Sequence, residues 1–282
     1  MLEVKTMKTP DEVLKSPITL ISHGRSGTSL LQNIFEAHPD ISVAGETADL
    51  IFSTWYSISR AEGIIPGLIE RGKVVPWDER VSRGVRAVFD ELFDLKTPYW
   101  MQKPIGQPFV INYLRQQGNS LEEWFDLYWE ILDRVFPGGK FITILRHPCD
   151  VVLSSKEYWG RDPVHVWRDL ATVARCILHP SSKIEFAVNY EQLVREPEWV
   201  LKKLFLNLEI DYHPRVLSAL NYIYVPNNNG WKQEKNEFQD KIDKRFSRRD
   251  RWKQVDLSIV DPEDLKAIEK LWQHFGWELE VP

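Results

Sequence analysis

The stretch Ile18-Thr19-Leu20-Ile21-Ser22-His23-Gly24-Arg25-Ser26-Gly27-Thr28-Ser29-Leu30-Leu31 decides how the whole chain is read. Its first half is a short apolar run of the kind that forms a fully buried strand. Its second half opens a helix, with Leu30, Leu31, Ile34 and Phe35 at the spacing of a face packed on a sheet. Between them lies a turn with two glycines. A strand, such a turn and a helix make an anion site, because the unpaired N–H groups of the first helical turn and the positive end of the helix dipole point into the turn. Gly24 and Gly27 allow tight or left-handed backbone and close approach of a ligand, and Thr28 and Ser29 offer hydroxyl donors. Gly24, Arg25, Ser26, Gly27, Thr28 and Ser29 are thus the candidate anion ligands. The pattern is not a nucleotide-triphosphate loop of the form GxxxxGK[ST]. The glycines are three apart, and Thr28 stands where the lysine would be. The cation is Arg25, whose planar guanidinium suits bidentate contact with phosphate or sulfate.

Working outward, apolar, β-branched runs at 18–22, 99–103, 140–145 and 183–189 read as buried parallel strands. Helical spacing is found over 28–37, 78–93, 121–136, 150–159, 164–178 and 198–208. This alternation predicts one α/β domain over 1–282, a mostly parallel sheet flanked by helices on both faces. The one shift in composition falls at 226–253, where Asn227-Asn228-Asn229-Gly230 leads into a charged stretch. It reads as a lid or cofactor-binding loop.

The 282 residues are 43% apolar, enough for a sizeable core. A net charge of −5 argues against a general binder of nucleic acid or anionic membrane, so an anion must be bound locally. Cys149 and Cys176 show no paired spacing and fit a reducing cytoplasm. The N-terminal residues have no apolar signal core, and no stretch approaches a membrane span.

A second motif follows the run 141–145: Arg146-His147-Pro148-Cys149-Asp150-Val151-Val152-Leu153-Ser154. Pro148 suits a first helical turn, which puts Arg146 at the strand's C-terminal end, where ligands bind in open α/β sheets. A third segment, Asn189-Tyr190-Glu191-Gln192-Leu193, follows the last strand.

The first loop resembles the 5′-phosphosulfate loop of sulfotransferases that use 3′-phosphoadenosine 5′-phosphosulfate (PAPS), in the arginine form of the tyrosylprotein and many bacterial enzymes. The second motif resembles that family's RxPxDxxxS, which implies that Arg146 and Ser154 hold the nucleotide 3′-phosphate. The third resembles its YExLxxxP, which implies that Tyr190 lies near the nucleotide. Residues 244–253 resemble a degenerate C-terminal phosphate segment, with Arg245, Arg248 and Arg249 as candidate ligands. The resemblance implies a P-loop NTPase-like fold, PAPS as donor and adenosine 3′,5′-bisphosphate (PAP) as product, with no metal.

Sulfuryl transfer needs cations at the leaving oxygen and a base at the acceptor. Arg25 and Lys103, which stands at a strand end before Pro104 and resembles the KxP lysine of the tyrosylprotein enzymes, are the candidate cations. Glu46, in Ala44-Gly45-Glu46-Thr47, matches the tyrosylprotein enzymes' base, and a closed, dry setting would raise its proton affinity. His23 is the rival base. The family's peptide-binding arginine is replaced by Ala48-Asp49, which argues against tyrosyl-peptide substrates; a small metabolite is the expected acceptor, with a protein, peptide or glycan as the alternative. The residues from Thr54-Trp55-Tyr56 to Trp77, and Trp124, Tyr128 and Trp129, are candidate acceptor walls or simply core. The rival readings are a nucleotide-dependent kinase, which would need Mg²⁺ and a loop lysine, and a nucleotide-binding module without catalysis.

Overall fold

The run Lys140–Leu145 shows how the sequence divides the molecule into layers. Successive side chains of a strand point to opposite faces. Here Phe141 and Leu145 join one apolar cluster, while Ile142 and Ile144 join another. Both faces are covered, so the strand carries no alternation of apolar and polar residues. The computed structural model describes residues 17–60, 77–93, 95, 97–104, 120–227, 230–235, 252–253 and 255–282.

Its strands are β1 (Ile18–Leu20), β2 (Ile41–Gly45), β3 (Tyr99–Gln102), β4 (Lys140–Leu145) and β5 (Ile184–Asn189), followed by β6 (Tyr222–Asn227) and β7 (Gly230–Lys235). The helices are α1 (Thr28–Glu36), α2 (Ala48–Arg60), α3 (Trp77–Leu92), α4 (Leu121–Val135), α5 (Pro148–Trp159), α6 (Pro163–Leu178), α7 (Tyr190–Arg195), α8 (Pro197–Asn207) and α9 (Pro262–His274). The first five strands form one wholly parallel sheet in the order β2-β3-β1-β4-β5. Apolar residues of α1, α7, α8 and the 3₁₀ segment Pro214–Asn221 form one cluster, and those of α2 to α6 and α9 form the other. The predicted α/β architecture with helices on both faces is the observed one.

Four helices, α5, α6, α8 and α9, begin at a proline, where the missing N–H costs nothing. For the first three of these, the sequence expectation starts one or two residues late. Helix α4 begins with a capping box, in which Ser120 and Glu123 satisfy each other's backbone N–H. No helix among the described residues is long and apolar enough to cross a membrane.

Several expectations need correction. Trp124, Tyr128 and Trp129 are core side chains, and Trp55 packs against the same cluster. Trp129 even donates its indole N–H to the Cys176 carbonyl, at 2.9 Å, inside the fold. Trp124, Tyr128 and Trp129 therefore follow the core reading of the two that the sequence leaves open. The middle of that expected wall, 61–76, lies outside the described residues. The start of the expected lid is strand: β6 and β7 pair antiparallel, Asn227 opposite Gly230. Asn227 and Gly230 of the Asn/Gly-rich tetrad are thus the paired ends of two strands. Helices α2, α7 and α9 were not anticipated at all.

Candidate active site

The site sits at the C-terminal edge of the sheet, where the chain leaves β1 toward β2 and β3 on one side and reaches β4 and β5 on the other. Such a switch point leaves a crevice between neighbouring strand ends. The Ser22 hydroxyl donates to the Ile144 carbonyl at 2.6 Å and pins the end of β1 to β4. His23 is buried, and its Nδ1 lies 2.5 Å from the Gly24 carbonyl. A carbonyl only accepts, so Nδ1 carries the proton and Nε2 is the acceptor. Burial pushes this imidazole's pKa down to about 4, so the ring is neutral at physiological pH.

Arg25 has φ of 70°, a left-handed backbone that costs an L residue roughly 1–2 kcal/mol. The turn is held by Ser26 N–H on the His23 carbonyl at 3.3 Å and by the Arg146 guanidinium on the Arg25 carbonyl, also at 3.3 Å. Gly27, at φ 103°, precedes α1 and supplies no side-chain cap. The helix's first N–H groups are thus without side-chain capping, as an anion site requires. The two glycines do more than admit a ligand. A Cβ on Gly24 would lie 2.6 Å from the Trp159 ring, and one on Gly27 would lie 2.5 Å from the Tyr190 ring. Both faces of the turn are therefore plated with an aromatic side chain.

The second motif closes on the first. Arg25 Nε donates to Ser154 Oγ at 3.1 Å, and its guanidinium lies 4.1 Å above the Tyr158 ring and 5.6 Å from Trp159. Arg146 sits 4.8 Å over the Tyr190 ring and 3.8 Å from Asp150. Ser154 and Arg146 are brought together through Arg25. Burial, opposed by Tyr158, lowers the Arg25 pKa, but a guanidinium keeps its charge in any protein. Two cations converge at one backbone turn.

On the other side of the turn, Lys103 N–H donates to the Gly45 carbonyl at 2.9 Å and so extends the β2–β3 pairing by one residue. Lys103 Nζ lies 3.3 Å from Glu46 Oε1 and 3.5 Å from Ser29 Oγ. The lysine side chain is 6% exposed and the glutamate 65%. Burial lowers the Lys103 pKa, against the pull of Glu46. The Glu46 position is fixed from behind: Thr47 Oγ1 donates to Gln102 Oε1 at 2.9 Å, and Gln102 Nε2 donates to Thr19 Oγ1 at 3.1 Å, all within the core. The closed, dry setting expected of Glu46 is not what the structure has, since the carboxylate projects from the end of β2 into solvent.

Arg245, Arg248 and Arg249 lie outside the described residues. Sequence reasoning missed Tyr158 and Trp159, which cover Arg25 and Gly24. The i,i+4 spacing of Tyr158 after Ser154 was the available signal, with Trp159 next along the helix. Among the described residues no group of three or more His, Cys, Asp or Glu side chains is placed to hold a metal ion.

Residues 125–214, from α4 into the 3₁₀ segment and including Arg146, Ser154 and Tyr190, match the model described as the Sulfotransferase family. The sulfotransferase domain of the Synechococcus PCC 7002 olefin synthase superposes with a TM-score of 0.57 at 19% identity, over 98% of this chain and 100% of that one. The sulfotransferase domain from the curacin biosynthetic pathway gives a TM-score of 0.60 at 19% identity, over 95% and 99%. No curated protein matches the sequence. The family match covers about a third of the chain, and the two solved sulfotransferase domains share its fold over nearly the whole length.

Proposed function

We propose that the chain transfers a sulfuryl group from PAPS to a hydroxyl or amine of a small metabolite, releasing PAP. The observation that carries this reading is the convergence on one turn of three cations from three neighbouring strand ends: Arg25 after β1, Lys103 after β3 and Arg146 after β4. Arg146, with Tyr190 beneath it, would hold the 3′-phosphate, Ser154 and Arg25 linking that end to the phosphosulfate turn. Residues 226–253, with Arg245, Arg248 and Arg249, would supply further phosphate contacts. Lys103 and Arg25 would meet the charge that builds on the leaving oxygen as its bond to sulfur breaks.

Glu46 would take the acceptor's proton as the new bond to sulfur forms. Its contact with Lys103 places base and leaving-group cation side by side, and this pair must open to admit the sulfuryl group. The neutral His23 is the weaker candidate, because a group that protonates only near pH 4 is a poor base at pH 7. Two buried, free cysteines suit a cytoplasmic setting.

The test offers radiolabelled PAPS, or ATP with Mg²⁺, to the purified protein with a panel of hydroxylated and amine metabolites. Label should move from PAPS in the presence of a chelator. Transfer from ATP alone would overturn the reading in favour of a kinase.

A further inference from the structure

Helix α5 begins with His147 at its N-cap, a position where Ser, Thr, Asp or Asn ordinarily bonds the first-turn N–H groups. The His147 side chain makes no such bond. Its ring is turned the other way. The imidazole Nε2 lies 2.7 Å from the Glu280 carbonyl and therefore donates to it. One face packs on Trp252, with ring centres 4.6 Å apart and planes 32° from parallel, and Trp272 stands edge-on at 6.3 Å. The backbone is tied as well: His147 N–H donates to Glu191 Oε1 at 3.0 Å, and its carbonyl accepts from Asp150 and Val151 at 3.0 and 3.1 Å.

One buried residue thus knots four segments: the β4–α5 turn, the β5–α7 turn through Glu191, the segment bearing Trp252, and the tail at Glu280. The residue before it is Arg146, which spans the site to reach the Arg25 carbonyl. A side chain that reaches so far depends on where its backbone is anchored. We infer that His147 is a positioning residue of the donor site, fastening the C-terminal tail to the turn that aims Arg146, so that recognition of the nucleotide's 3′-phosphate depends on the tail. This rests on the reading of Arg146 given above.

The test measures PAP and AMP dissociation constants by calorimetry for wild type, Arg146→Ala, His147→Leu, His147→Gln, a chain lacking 280–282, and the His147→Leu chain with the same deletion. Loss of one buried tie should weaken PAP on the order of tenfold while leaving AMP within about twofold. A merely structural lesion would weaken both nucleotides alike. His147→Gln, whose amide reaches the place of Nε2, should keep most of the preference for PAP. The deletion should cost nothing further in the His147→Leu background, because both changes cut the same tie.

PAP preference unchanged in both His147→Leu and the deletion, with Arg146→Ala still defective, overturns the inference and leaves the donor reading standing. Losses that multiply also overturn it. Equal PAP affinity in wild type and Arg146→Ala would instead sink the donor reading, and the inference with it. Should His147→Leu fail to fold, His147→Gln and the deletion decide the matter by the same ratio of affinities.

Discussion

The two flanks of the glycine turn are built on opposite electrostatic plans. On the β4–β5 side, Arg25 and Arg146 are held mainly by neutral partners: a hydroxyl, a backbone carbonyl and the faces of Tyr158 and Tyr190, with Asp150 3.8 Å from Arg146. On the β2–β3 side, Lys103 is matched by Glu46 at 3.3 Å. The first flank holds positive charge in place for an anion. The second is self-compensated until a reactant separates the pair. Nucleotide binding should therefore belong to the first flank and proton transfer to the second.

The largest effect that can break this division is on turnover. Glu46→Gln keeps size and hydrogen bonding but accepts no proton, so single-turnover rates should fall by roughly 10²–10⁴ while PAP affinity stays near wild type. His23→Gln should turn over far faster than Glu46→Gln. The reverse order of these two variants would move the base to the donor flank and end the division.

A second, smaller effect concerns His23 and stability. Its pKa is about 4 in the fold, against an ordinary value of 6.5, so between those pH values the unfolded chain binds more protons than the folded one. Stability therefore rises with pH across that window. The contribution of His23 is complete above about pH 6.5 and lost toward pH 4, and its size is about 3 kcal/mol. His23→Gln should flatten the melting temperature between pH 6.5 and 4. An unchanged slope would mean that the ring is not buried in its neutral form.

The smallest effect sharpens the donor side. Arg146→Ala should weaken PAP by about 1.5–3 kcal/mol, the worth of a hydrogen bond to a charged group, with AMP little affected. Thermal shift with each nucleotide reads both. Equal weakening of PAP and AMP would remove the 3′-phosphate from Arg146.

The sheet and the loop were legible in the sequence because both are local patterns. Buried parallel strands are unbroken apolar runs, and β4 and β5 were placed to within one residue. The glycine turn and the Arg146 to Ser154 spacing are fixed by covalent distance along one strand end and one helix. Helix α2 was missed because Ile-Phe-Ser-Thr-Trp-Tyr-Ser-Ile-Ser is rich in residues of middling or low helix propensity, and packing against the sheet decides its state. The indoles of α4 were open to two readings for a related reason. Aromatic residues line pockets and cores alike, and only the positions of neighbouring helices tell them apart. The contacts that complete the site join residues over a hundred positions apart: Ser154 with Arg25, Arg146 with Arg25, His147 with Glu280. No spacing rule reaches that far.

The strand order carries a consequence for synthesis. Of the described strands β1 is the first to leave the ribosome, yet it lies between β3 and β4, and β4 begins about 120 residues after β1 ends. At translation rates of about 5–20 residues per second, one edge of the central strand stays unpaired for roughly 6–24 s. During that interval Ile18, Leu20 and Ile21, wholly or almost wholly buried in the finished protein, have no partner strand on that side. The segment that leads into the glycine turn is therefore an apolar edge left open during synthesis, the kind of edge that invites aggregation.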